Sequence, residues 1–306
     1  MNSKKIQDNI IEDSVYEVPT FYKLKYIVIG ISMLVIGFVF NFPVKSIIKT
    51  QVENALLQNR SCPIEYSELD ISLFLPNVNF ITPKINGKCF NKPNESLLLD
   101  NLQVRTTIPV LFPPGIKLHA EINKGDTKLN LYPRVSLGRT DLNISNSNIT
   151  GKFISTLIGQ ENLIAGNLDI KGVINLENHQ LSKGALRISS KDFNINSQTI
   201  NNFTIPALNI GNINFSGDLV KKKLDIKLRA GNEAAPVFAE FKGSIFLNMR
   251  NMSASGLKLT GEFSLSDDFL KKNSFIALLL SSKKKVDGKY IINVNGSLSR
   301  PSISIL

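Results

Sequence analysis

At 306 residues, net charge +11 and 42% hydrophobic content, the chain can form one large or two modest domains and is too apolar for a disordered tether. It has no Trp and few basic–aromatic clusters, which argues against nucleic acid as a partner. His119 and His179 are its only histidines, and HExxH, GxSxG and P-loop patterns are absent, so no enzyme, metal site or cofactor is expected.

Residues 1–25 carry Lys4, Lys5, Lys23 and Lys25 against Asp8, Glu12, Asp13 and Glu17, a balanced tail. Tyr26–Phe42 follows with 17 residues and no charge. As a helix it covers roughly 25 Å at ~1.5 Å per residue. Phe21, Tyr22 and Phe42 are placed to complete a membrane span at headgroup level. No small-residue cleavage site follows Phe40, so the reading is an uncleaved single-pass anchor. Flanking charge does not orient it; a short cytoplasmic tail (1–25) with an exported C-terminal domain is the economical topology. All the positive excess then lies beyond the span. Lys221–Lys223 and Lys283–Lys285 read either as bilayer-attracted patches or as solvated loops.

Pro43 suits the first turn of a second helix. Val44, Ile47, Ile48, Val52, Ala55 and Leu56 recur at helical spacing, giving an amphipathic helix within 43–60. It either lies on the membrane or caps the domain that follows. Cys62 and Cys89 are the only cysteines, and no CxxC spacing is present. They read either as one disulfide of an exported domain or as two unpaired thiols.

From Ile64 the dominant period is two. Leu69, Ile71 and Leu73 alternate with polar residues, as do Leu129 and Leu131, Leu142 and Ile144, Leu186 and Ile188, and Leu224, Ile226 and Leu228. Lys124-Gly125-Asp126, Glu177-Asn178-His179 and Asp287-Gly288-Lys289 read as hairpin connections. The pattern predicts an antiparallel meander with one apolar and one wet face. Phe153, Ile154, Leu157 and Ile158, closed by Gly159, predict one short helix. A second, capped by Ser266, is expected to continue through Phe269, Leu270, Phe275, Ile276 and Leu278–Leu280 and to pack on, or plug, the sheet.

One unit, apolar-x-apolar-x-Gly-x-apolar, recurs five times within 61–306. It reads Leu168, Ile170, Gly172; Ile213, Phe215, Gly217; Ala239, Phe241, Gly243; Leu257, Leu259, Gly261; and Ile292, Val294, Gly296. Alternation puts each Gly on the face of its apolar neighbours, where it leaves a gap and permits a bend. The expected fold is therefore mainly β: a transmembrane helix, an amphipathic helix, then a curved antiparallel sheet, a trough or half-barrel, with two short helices. The bent strands either line an open trough or close around an ordinary core.

This order of features, with Phe42-Pro43-x-x-x-Ile47, the closing pair Gly288–Pro301 and the strand opening Phe203–Gly211, resembles protein N of the bacterial type II secretion system. It is similar to the longer version found in spirochaetes and delta-type bacteria. The resemblance implies a bacterial inner-membrane, single-pass protein with a periplasmic β-domain, whose partners are other secretion-system components. The Gly-punctuated strands are also similar to the AsmA-like group, which implies an apolar trough that holds lipid acyl chains. A closed side-chain core on the Gly-bearing face favours the structural component; an open groove favours lipid.

Overall fold

The computed structural model describes residues 20–41, 44–58, 62–72, 77–90, 96–107, 114–158, 160, 162–178, 180–200, 203–232, 235–249 and 251–306. The tail 1–19 and residues Phe42, Pro43, Leu73, Gly159 and His179 lie outside these. The chain divides into two compact units, Met1–Gln51 and Val52–Leu306.

In the first unit, helix α1 (Thr20–Asn41) coincides with the apolar stretch. Ile27, Ile31, Met33, Leu34 and Ile36 are all exposed. Side chains of α1 are described only for Leu24–Gly37, 14 residues, against the ~20 that a span requires. Among the described residues, no helix is long and apolar enough to cross a membrane.

Helix α2 (Val44–Gln58) begins in the first unit and ends in the second. In the second unit its last turns half-bury Val52, Glu53 and Leu56, and Tyr66 donates from its hydroxyl to Glu53 Oε1 at 3.3 Å. Short strands β1 (Ile64–Glu65), β2 (Glu68–Ser72), β3 (Asn77–Ile81), β4 (Lys84–Asn86) and β5 (Ser96–Leu98) follow. Cys62 and Cys89 are joined in a disulfide, with Cα atoms 4.6 Å apart. It ties the start of β1 to the tight turn Gly87–Phe90 beside β4, its partner strand. Of the two readings of these cysteines, the structure has the bridge.

Long strands then dominate: β6 (Asn101–Thr106), β7 (Gly115–Lys124), β8 (Thr127–Ser136) and β9 (Arg139–Thr150). Helix α3 (Gly151–Ile158) and β10 (Ile164–Ala165) lead to β11 (Asn167–Glu177) and β12 (Gln180–Ile195). The hairpin β13 (Gln198–Ile200) and β14 (Phe203–Ile205) precedes β15 (Leu208–Val220), β16 (Lys223–Ala230), β17 (Val237–Phe246) and β18 (Gly256–Leu265). After α4 (Asp267–Lys272) and α5 (Ser274–Leu280) come β19 (Lys285–Val286), β20 (Lys289–Ser297) and β21 (Arg300–Ile305). The main sheet has 16 strands in the order β19-β20-β18-β17-β16-β15-β12-β11-β9-β8-β7-β6-β3-β2, with β10 on β12 and β21 on β20. Every pairing in it is antiparallel. The terminal strands of this order do not pair with each other, so the sheet is open and not a closed barrel.

The expected turns form with the backbone their residues favour. Gly125 has φ 53°, Asn178 49°, and Asp287 and Gly288 50° and 79°, left-handed values that suit two-residue hairpins. Ser266 caps α4 by accepting from the Phe269 amide at 3.2 Å, with Asp267 and Asp268 in the first turn. The expected single helix is two. Asn273 leaves helical space at φ −124°, ψ 64° and donates its side-chain amide to the Phe269 carbonyl at 2.8 Å, closing α4 before α5 starts. Leu280 is buried, whereas Phe275, Leu278 and Leu279 are exposed, so this pair covers little of the sheet.

Candidate functional site

Because directly opposed residues in an antiparallel pair share a face, the registers can be followed from strand to strand. Ile71 faces Val78, then come Val104, Ala120, Leu131 and Ile144. The series continues through Gly172, Leu186, Gly217, Ile226 and Gly243. It ends with Leu259, Val294 and Ile303. This row crosses fourteen strands without a polar residue. At ~4.8 Å per strand it is roughly 60 Å long.

Two parallel rows flank it on the same face. One reads Ile174, Gly184, Leu219, Leu224, Ile245, Leu257 and Gly296. The other reads Ile170, Ile188, Phe215, Leu228, Phe241, Gly261, Ile292 and Ile305. The expected site residues thus fall on one face but in different rows. Gly172, Gly217, Gly243, Leu259 and Val294 stand in the central row, while Ile170, Phe215, Phe241, Gly261 and Ile292 stand beside it. Leu257 and Gly296 are on the other side. Leu168 and Ile213 lie further along β11 and β15, where Leu168 is buried against Phe193, Ile210 and Ala230. Sequence reasoning did not single out Leu186 and Ile226, which separate the glycines of the central row. Their only signal was ordinary alternation, without a Gly to mark it.

The gap expected at each Gly is not uniform. A Cβ at Gly243 would fall on the Lys258 carbonyl oxygen, and one at Gly261 would lie 2.5 Å from a Phe241 ring carbon and 2.6 Å from the Glu240 carbonyl. At these two positions the neighbouring strand fills the space. At Gly217 a Cβ would meet only side-chain atoms, of Leu224 at 3.2 Å and Phe215 at 3.4 Å.

Among the described residues, two buried clusters cover part of this face, one of them Leu168, Phe193, Ile210 and Ala230 with Ile154, Ile164 and Ile213. Leu97, Leu99, Ile149 and Phe153 form a buried cluster with Ile85, Ile122, Leu129, Ile154, Leu157 and Ile170, supplied largely by β5, α3 and the sheet beneath them. Ser155, fully buried in α3, fastens that cover. Its hydroxyl donates to the Gly151 carbonyl at 2.8 Å and accepts from the Ile164 amide at 2.8 Å. Outside these clusters, Ile144, Leu186, Ile226, Leu259 and Val294 are half-buried and Ile303 is 62% exposed.

The opposite face is largely polar and cross-linked, with Phe238 buried there against Arg229 and Lys289. Arg187 grips Asp218 through two hydrogen bonds of 2.7 and 3.0 Å. Lys223 pairs with Asp225 at 2.8 Å; its hydrogen bond and that from Ser244 hold the Asp225 carboxyl below the usual range. In β6–β9 the buried His119 ring stacks on Tyr132 with centroids 4.4 Å apart. Its Nδ1 accepts from Arg105 Nε at 2.8 Å, so Nε2 carries the proton and donates to Asn130 Oδ1 at 3.1 Å. Asn130 in turn donates to the Asn146 carbonyl at 2.8 Å. Glu121 accepts from Lys128 at 2.9 Å, and that bond first, with a lesser one from Asn123, lowers its carboxyl against the opposing effect of burial. This network occupies both ring nitrogens, and its visible work is to hold four strands in register. Among the described residues, no cluster of three His, Cys, Asp or Glu side chains is placed to hold a metal.

No protein-family model, curated protein or solved structure matches this chain.

Proposed function

We propose that this chain is a non-enzymatic, membrane-anchored protein whose apolar sheet face holds lipid acyl chains. The observation that carries the reading is the unbroken apolar row over fourteen strands, half-buried from Ile144 to Val294 wherever a side chain larger than glycine stands in it. A buried methylene gains ~0.8 kcal/mol on leaving water, so an extended chain laid along such a row is held without any polar contact. Strand bends at the bulge between Ile170 and Gly172 and at the other register shifts would curve this face into a trough. The exposed apolar side chains of α1 support an anchor in the inner membrane. The Cys62–Cys89 disulfide supports a periplasmic, oxidising setting for the sheet. Service to a type II secretion apparatus is compatible with that placement, but a purely structural component calls for a closed face, and the half-exposed rows favour lipid.

The test uses a photo-crosslinking amino acid in the full chain in its native membrane, placed at Ile226 on the apolar row or at Lys227 on the opposite face. Lipid adducts at 226 well above those at 227 are expected. Protein adducts alone at 226 would favour the secretion partner, and equal lipid labelling at both positions would sink the acyl-chain reading.

A further inference from the structure

We infer that the hairpin end of the sheet, distinct from its apolar face, is a docking edge for an anionic bilayer surface. The registers place Ser136 beside Arg139, then Lys183, Val220, Lys223, Phe246, Gly256, Ser297 and Arg300 along one end of the strands. The turns projecting beyond this line carry apolar side chains open to solvent. Leu137 is 91% exposed, Met252 52% and Met249 46%; at the strand ends Val220 and Phe246 are 59% and 51% exposed. Leu298 in the β20–β21 turn is 42% exposed. Such residues are ordinary singly, but not strung over strands β8 to β21 at one end of one sheet.

Charge identifies the occupant. Lys183, Lys221, Lys222 and Arg300 are exposed along the same line, and none joins an ion pair among the described residues. Arg139 and Lys223 are paired to Asp141 and Asp225, and Glu177 stands directly opposite Arg139. The apolar tips are separate and set in a line some eight strand spacings long, roughly 38 Å. A protein partner would need a clustered pocket for its anchors. A bilayer interface accepts each tip wherever it falls, with lysines drawn to anionic headgroups.

The chain has no Trp, so a single introduced indole reports alone. L137W, M252W and D126W are made in the full chain; Asp126 lies in the β7–β8 turn at the other end of the strands. Each is reconstituted in phosphatidylcholine vesicles with or without phosphatidylglycerol, and quenching by brominated lipid is compared with quenching by iodide. With phosphatidylglycerol present, L137W and M252W are expected to emit further to the blue than D126W. They should be quenched by brominated lipid and protected from iodide several-fold, and K221E/K222E should remove most of that protection. Equal iodide access at all three positions would overturn the proposal. So would a blue shift that follows protein concentration without lipid, which marks contact between copies, or one as large in phosphatidylcholine alone. Vesicle flotation reads the anchor separately, and neither measurement depends on whether the apolar face holds acyl chains.

Discussion

Gly217 of β15 and Leu186 of β12 face each other directly, and the next strand returns a large side chain, Ile226, to the same row. The alternation repeats at Gly243 and Leu259. Bulky and absent side chains therefore interleave across the sheet, and the two kinds of glycine in the row carry different constraints.

Substituting alanine separates them. G243A places a methyl against the Lys258 carbonyl at a backbone φ of 154°, and is expected to destabilise by ~1–3 kcal/mol from overpacking and backbone strain. G217A meets only movable side-chain ends and should change stability by less than ~1 kcal/mol. Urea unfolding of both variants checks the order; equal losses would contradict the row geometry.

Removing the disulfide by C62S/C89S opens a loop with a sequence separation of 27. The chain-entropy estimate is a loss of roughly 3–4 kcal/mol. Unfolding with and without reductant should show the same difference in the native chain and none in the double variant.

Ser155 has no exposed surface, and its hydroxyl serves the Ile164 amide. S155A leaves that buried donor unsatisfied and should cost ~1–3 kcal/mol. Amide exchange of Ile164 should quicken with it, while exchange in β18 and β20 stays unchanged.

The Glu121 carboxyl is lowered, chiefly by the hydrogen bond from Lys128. A depressed carboxyl contributes stability that is fully present above its unfolded value of ~4.3 and lost as pH falls through the folded value. E121Q should cost ~1 kcal/mol at neutral pH, and its melting temperature should fall less steeply than the native chain's below pH ~4.3. Parallel acid limbs would show that Lys128 does not hold the carboxylate in solution.

Much of the fold was written in local pattern. Alternation marks the strands, Gly125, Asn178 and Asp287-Gly288 mark turns, and Ser266 with two aspartates marks the start of α4. Register is another matter. Nothing within β12 says that Leu186 will stand between Gly172 and Gly217, because that depends on the β11–β12 turn, on the β13–β14 connection to β15, and on bulges such as those between Asn175 and Leu176 and between Ser190 and Phe193. The break at Asn273 was hidden because Asn is tolerated inside helices as well as at their ends. The filled space at Gly243 and Gly261 was equally invisible, since the atoms that occupy it belong to Lys258, Glu240 and Phe241 on other parts of the sheet.

Each long strand from β6 to β9, and from β15 to β18, pairs with the strand next to it in the chain. A sheet wound in this sequential way can gain or lose a whole hairpin by duplication or deletion without re-threading the rest. Each added pair lengthens the apolar row by roughly 10 Å and leaves both ends intact. The reach of that row is thus an inheritable length, set by how many hairpins the gene encodes.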